Sequence, residues 1–147
     1  MHLKIPLEYD KTRSRVSITC SVRINGHSPV PVVFLVDTGS QYTFVDEFTT
    51  QKVRVFTDNL DPADTILLGG TKIDLYKVGT AEFNFHVGDN QLEKIVYNDL
   101  KVSKSGWTRK EAIYSPISLL GMDFLLNNKL TLFLQPDKEE GYIEDSS

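Results

Sequence analysis

An all-β barrel or sandwich is the fold class this sequence predicts. Apolar and polar residues alternate in several short runs, turn signals built on Asn, Gly and Pro separate those runs, and one short stretch alone reads as helical.

The first run is Val16 to Ile24, where Val16, Ile18, Cys20, Val22 and Ile24 occupy every second position. That period belongs to a strand with one buried face. Asn25-Gly26 follows directly and is a strong short hairpin signal. Pro29 and Pro31 bound the return, and Val32 to Val36 is a continuous apolar run. It is short and rich in β-branched residues, so it reads as a strand buried on both faces. Thr43-Phe44-Val45 is strand-like, and Asp46 to Gln51 suits a helical turn. Asn59 to Asp64, with Pro62, reads as a loop. Ile66-Leu67-Leu68 then meets Gly69-Gly70, a tight-turn pair.

Beyond it, Ile73, Leu75 and Val78 resume the apolar pattern, and Ala81, Phe83, Phe85 and Val87 alternate with polar neighbours. Gly88-Asp89-Asn90 marks another turn. Ile95 to Val102 reads as a strand interrupted at Asn98-Asp99, and residues 103–116 as a long polar, basic loop. Ile117 to Leu126 is apolar around Gly121 and stops at Asn127-Asn128. Leu130, Leu132 and Leu134 form the last alternating strand, and residues 137–147 are an acidic, loosely ordered tail. No internal repeat is visible.

The chain has 147 residues, a length that suits one domain with a substantial core. Its formal net charge of -4 argues against nucleic acid as a partner. No run approaches a membrane span, so no membrane partner is expected. The first residues lack the long apolar core of a signal peptide. A lone cysteine, Cys20, excludes an intramolecular disulfide and reads as a core residue. A cytoplasmic location is therefore expected. His2, His27 and His86 have no metal-ligand spacing, so neither a metal nor a cofactor is expected. Lys101, Lys104, Arg109 and Lys110 around Trp107 read as a solvated basic loop, and Tyr76 or Phe83 is a candidate wall of a specificity pocket.

Asp37 is the most informative residue. It follows Val32 to Val36 directly, so a carboxylate stands at the end of an apolar strand, where ionisation is costly. Thr38 offers a small hydroxyl, and Gly39 lets the backbone turn sharply. Taken alone, the three residues fit an ordinary Asx turn as well as a site.

A second segment lies about eighty residues on: Ser118-Leu119-Leu120-Gly121-Met122-Asp123-Phe124-Leu125. With Val36-Asp37-Thr38-Gly39-Ser40, Thr43-Phe44-Val45-Asp46 and Gly69-Gly70, it makes residues 16–134 resemble the retropepsin-like aspartic proteases, single-lobe relatives of pepsin. The resemblance implies a closed acid-protease barrel with one short helix near the C-terminus, over a single domain of residues 1–136. It implies that Asp37 is the catalytic aspartate, supported by Thr38, Gly39 and Ser40. It implies a flap made by Leu68, Gly69, Gly70 and Thr71, and an apolar strand and turn at Leu119, Leu120 and Gly121 packed beside the catalytic loop. Viral members pair an acid two residues after the position of Gly39 with an arginine just after that of Gly121. Here those places hold Gln41 and Met122, which fits a cellular or prokaryotic type. Asp123 is given a structural role in loop bonding.

Peptide hydrolysis by this chemistry needs two carboxylates, one accepting a proton from water and one donating to the carbonyl oxygen. The sequence has one Asp-Thr-Gly. A homodimer acting on a polypeptide is therefore expected, with Asp37 meeting its own copy across a twofold axis. The alternative is a non-cleaving dimerisation or peptide-binding module with the same fold. Ser40 donating to Asp37 would favour its ionised form, which leads to an expected acidic optimum.

Overall fold

A computed structural model describes residues 3–68, 70–88, 90–105 and 117–145 of the chain, without the side chains of Thr71 and Ser105. The strand expected first is β3 (Arg15–Ile24), preceded by two short strands, β1 (Lys4–Pro6) and β2 (Glu8–Asp10). All five alternating apolar residues of β3 are buried. Its hairpin with β4 (Val30–Val36) begins at Asn25-Gly26, where Gly26 takes φ +82° and the His27 amide donates to Ile24 O at 2.9 Å. In β4 the expectation of two buried faces fails. Val30, Val32 and Phe34 point inward, whereas Val33 is 58% exposed. The strand is one stave of a barrel, so only its inner face meets the core.

Next come β5 (Phe44–Asp46) and one helical turn, α1 (Glu47–Thr50), capped by Asp46, whose carboxylate accepts from the Thr49 amide at 2.9 Å. The segment read as a loop at 59–64 is already strand from Asp61: β6 (Asp61–Leu68) includes Pro62 because it is an edge strand with β7 as its one partner among the described residues. The runs read around Val78 and Ala81 are one strand, β7 (Thr71–Gly88), with register shifts on both sides of Gly79. It pairs with β8 (Gln91–Ser105), and Asn98-Asp99 falls where Ala81 faces Tyr97 but Gly79 faces Leu100, a bulge at the expected interruption. Most of the basic loop lies outside the described residues, Trp107, Arg109 and Lys110 included.

The apolar stretch around Gly121 divides into β9 (Ser118–Leu120) and α2 (Met122–Asn127), the short helix near the C-terminus. Strands β3, β4, β9, β5, β8 and β7 follow one another in hydrogen-bonded order, and β7 pairs back onto β3. The result is a closed six-stranded barrel, with β2 and β6 extending it. Its filling is aromatic: Phe83 lies 5.5 Å from Phe34 and 4.9 Å from Phe124 between ring centroids, and Tyr97 lies 5.4 Å from Phe124.

As far as Asp145, the chain beyond Asp137 is not the loose tail its acidity suggests. After β10 (Leu130–Gln135) and a 3-10 turn, Glu140–Asp145 forms β11, the middle strand of a small sheet ordered β1-β11-β10. Ile143, fully buried, faces Ile5 and Leu132 and anchors that sheet on the barrel. Its acids hid the strand: Glu140 and Glu144 lie on the face opposite Ile143, and Asp145 Oδ1 accepts from the Leu3 amide at 3.1 Å.

Candidate active site

One register decides where the site lies. β4 and β9 run parallel, with Phe34 opposite Ser118, Leu35 opposite Leu119 and Val36 opposite Leu120. Both strands therefore end at the same level, and the chain leaves them as Asp37 on one side and Gly121 on the other. The Asp37 amide donates to Leu120 O at 3.1 Å. The Ser40 amide returns to Asp37 O at 3.1 Å, closing a tight turn. Asp37 is half-buried, while Thr38 and Gly39 are exposed.

The donor to the Asp37 carboxylate is a backbone group. The Gly39 amide reaches Asp37 Oδ1 at 2.9 Å, and a methyl at Gly39 would stand 3.1 Å from that oxygen. The expected bond from Ser40 to Asp37 is not formed. Ser40 Oγ donates to Tyr42 O at 2.8 Å and accepts from the Tyr42 amide at 3.3 Å, because the turn aims its side chain forward along the chain. Ser40 thus supports the loop, and the reasoning that tied it to the carboxylate's ionisation falls away.

Across from this turn the packing is close. The Met122 amide donates to Ser40 O at 2.9 Å, and the Gly121 amide to Thr43 Oγ1 at 2.9 Å. Asp123 completes the tie. One oxygen accepts from Thr43 Oγ1 at 2.6 Å and the Phe124 amide at 2.8 Å; the other accepts from the Thr43 amide at 3.1 Å and Tyr97 OH at 2.6 Å. Burial first, then Asp123, pushes the Tyr97 phenol well above its ordinary range. Asp46 plays a matching part lower down, accepting from Ser118 Oγ at 2.9 Å.

The β6–β7 hairpin flanks the loop. Gly70 takes φ +81°, Leu68 pairs with Thr71, and Gly69 lies outside the described residues. Ile66 and Leu68 pack with Leu35 and Tyr42 on a small apolar cluster of Phe44, Ile73, Leu75 and Leu119. The hairpin's root and the strand ends that carry Asp37 and Gly121 therefore share one apolar floor. Tyr42 OH donates to Asp64 of β6, which raises the Tyr42 phenol and holds the Asp64 carboxyl below the usual carboxylate range. Above the Tyr42 ring, at 5.2 Å from its centroid, stands Lys101 Nζ, itself 3.0 Å from Asp99 Oδ2.

Sequence reasoning brought Asp37, Thr38, Gly39, Ser40, Leu120 and Gly121 to one place, and the structure has them there. Two other readings need correction. Lys101 is 6% exposed and belongs to β8, not to a solvated loop. Phe83 is fully buried in the core, so it walls no pocket, whereas Tyr76 lines an open groove of about 410 Å³ with Asp64 and Asp74. Tyr42 was missed. It lies in no motif, and its reach to β6 depends on a pairing that sequence alone does not give. Among the described residues no group of three His, Cys, Asp or Glu is placed to hold a metal, and no helix is long and apolar enough to cross a membrane.

Comparison with known proteins agrees with this geometry. A family model described as aspartyl protease matches residues 20–124, more than half of the chain. Among solved structures the chain is similar to a retropepsin-like aspartic protease from Rickettsia conorii, with TM-score 0.57 and 18% identity, over 96% of this chain and 98% of that one. At that identity the likeness establishes the fold. No curated protein matches the sequence.

Proposed function

This chain belongs to the aspartyl protease family, and on that premise we propose that it is an aspartic endopeptidase working as a homodimer on polypeptide substrates. The observation that carries the reading is Asp37. It is half-buried at the end of an apolar strand, oriented by the Gly39 amide, and followed by the exposed Thr38-Gly39 that a second copy and a substrate would cover.

One such carboxylate is half a catalyst. With two copies about 3 Å apart, repulsion at an effective dielectric near 20 is roughly 5 kcal/mol, or about four pKa units. As in aspartic proteases generally, the pair then holds one shared proton. One Asp37 takes a proton from water, which attacks the scissile carbonyl carbon. The other Asp37 gives its proton to the carbonyl oxygen. The tetrahedral adduct collapses as its C–N bond breaks: the amine leaves with the proton the first Asp37 took from water, and the second Asp37 recovers its proton from the gem-diol hydroxyl. No acyl-enzyme forms. The β6–β7 hairpin, with Leu68, Gly69, Gly70 and Thr71 at its turn, serves as the flap that excludes bulk water. A buried thiol at Cys20 suits a reducing compartment, the cytoplasm.

Asp37→Asn tests this directly. It should cut peptide cleavage by ~10³-fold or more, the scale of general acid–base catalysis, while sedimentation still shows a dimer. Cleavage that survives the change removes Asp37 as the catalyst. A wild-type protein that dimerises but cleaves nothing in a broad peptide library at any pH is the non-cleaving module.

A further inference from the structure

We propose that Tyr42 is a positioning residue, tethering the edge of the β6–β7 hairpin to the catalytic loop and so setting the pose in which the hairpin covers a bound peptide. The positioning role rests on the protease reading above; the tether itself does not.

The tether starts from a fixed base. Tyr42 backbone is held by Ser40 Oγ on both its amide and its carbonyl, and the neighbouring Thr43 by Asp123. Its ring cannot swing freely either. Lys101 Nζ stands over it at 5.2 Å, and that ammonium is clamped by Asp99 Oδ2 and Asp99 O, each at 3.0 Å. The phenol thus leaves a rigid platform in a set direction.

Its target is the least supported strand of the hairpin. β6 has β7 as its one ladder partner among the described residues, and the register shifts between Pro62 and Asp64, so its outer edge has no backbone bonds to the barrel. Ile66 and Leu68 pack on the floor below, but apolar contact is non-directional and leaves sliding open. Asp64 supplies the direction. Its Oδ1 accepts from the Thr65 amide at 2.7 Å, which orients the carboxylate on its own strand, and its Oδ2 takes the Tyr42 hydroxyl. The charge-assisted bond thus joins a loop bonded through Ser40 and Asp123 to a strand edge with one ladder partner among the described residues, and it adds a directional link between them.

Hydrogen exchange on the full-length chain reads the tether without substrate, through local opening of the hairpin. Tyr42→Phe keeps the ring and removes the bond. Amides of residues 64–77 should exchange about two- to fivefold faster, the worth of one solvent-exposed hydrogen bond to a charged group, with β3 and β4 unchanged. Asp64→Ala, which also frees the Thr65 amide, should accelerate exchange at least as much, and the double variant should be no faster than Asp64→Ala alone. In peptide cleavage Tyr42→Phe should raise KM about fivefold with kcat within about twofold, since the pose and not the dyad is disturbed. Unchanged hairpin exchange, or acceleration spread evenly through the barrel, overturns the tether. Unchanged KM overturns the positioning role. If the wild type cleaves no peptide, the protease reading and the positioning role fail together, while exchange still decides the tether.

Discussion

Gly121→Ala should damage both stability and activity, for a reason that is steric and not conformational. Gly121 has φ -104° and ψ -171°, extended backbone open to alanine. A methyl there, however, would stand 2.5 Å from Tyr42 O, 2.7 Å from Ser40 O and 2.9 Å from Tyr42 C. Those distances fall about 1 Å short of ordinary non-bonded contact, and all three atoms are backbone. Relief means pulling the β9–α2 turn off the Asp37 loop. That lengthens the bonds from the Met122 amide to Ser40 O and from the Gly121 amide to Thr43 Oγ1, both now 2.9 Å.

Overpacking costs roughly 1–3 kcal/mol, and two weakened hydrogen bonds add about 1 kcal/mol each. Stiffening the unfolded chain returns up to about 1 kcal/mol. The net is a loss of about 2–5 kcal/mol, or a Tm lower by roughly 6–15 °C at this size. Urea unfolding followed by circular dichroism measures it. Cleavage should fall further, by ~10²-fold, because the displaced atoms belong to the turn that aims Asp37. Gly26→Ala is the control. Gly26 has φ +82° and nothing within 4 Å of an added methyl, so its cost of roughly 1–2 kcal/mol is local strain and leaves turnover alone. A Gly121→Ala protein that unfolds at the wild-type urea midpoint with full activity would refute the close-packed crossing of the two loops.

Cys20 offers a pH test. Burial pushes its thiol from 9.0 up to about 12, so the folded protein keeps a proton that the unfolded chain loses. Its contribution is fully present below pH 9.0 and is lost as the pH rises through about 12. Urea midpoints should therefore fall more steeply in the alkaline range for wild type than for Cys20→Ala, and equal slopes would contradict the assignment. Asp123→Asn should cost ~2–4 kcal/mol, since an amide NH2 then meets donors where the carboxylate accepted four. An unchanged melting curve would show that Asp123 does not tie the loops.

The sequence made the barrel's inner face legible because alternation is a local property. Every apolar residue of β3 counted from the sequence is buried, and the Asn25-Gly26 turn needed only its own two residues. Val32 to Val36 misled for the same reason: five apolar residues in a row say nothing of what covers the second face, and Val33 shows that little covers it there. Pro62 and the acids around it suggested a loop, yet proline is compatible with an edge strand, and edges are defined by neighbours far along the chain. Asp37 and Gly121 were legible as motifs. The Ser40 hydroxyl was not, because its direction depends on a turn in which Tyr42 lies nearer than Asp37. Lys101 reads as solvent-exposed by type, and the Asp99 carboxylate, the Asp99 carbonyl and the Tyr42 ring explain its burial.

The missing ion pair has a structural substitute. Gln41 and Met122 stand where the viral pattern joins an acid to an arginine, and a loop without that bridge would be expected to be loose. Gln41 is exposed, and Met122 is half-buried against the core, where an arginine would have to desolvate its charge. The bridge has moved one residue inward on the helix side and two on the loop side. Asp123 takes both the amide and the hydroxyl of Thr43, and Tyr97 from β8 donates to the same carboxylate. The Thr43 hydroxyl passes the link on by accepting from the Gly121 amide. A salt bridge at the rim would be open to solvent and weakened by salt. This network joins three elements through neutral donors held partly inside the barrel, so it fixes the Asp37 turn from within while Thr38 and Gly39 stay exposed.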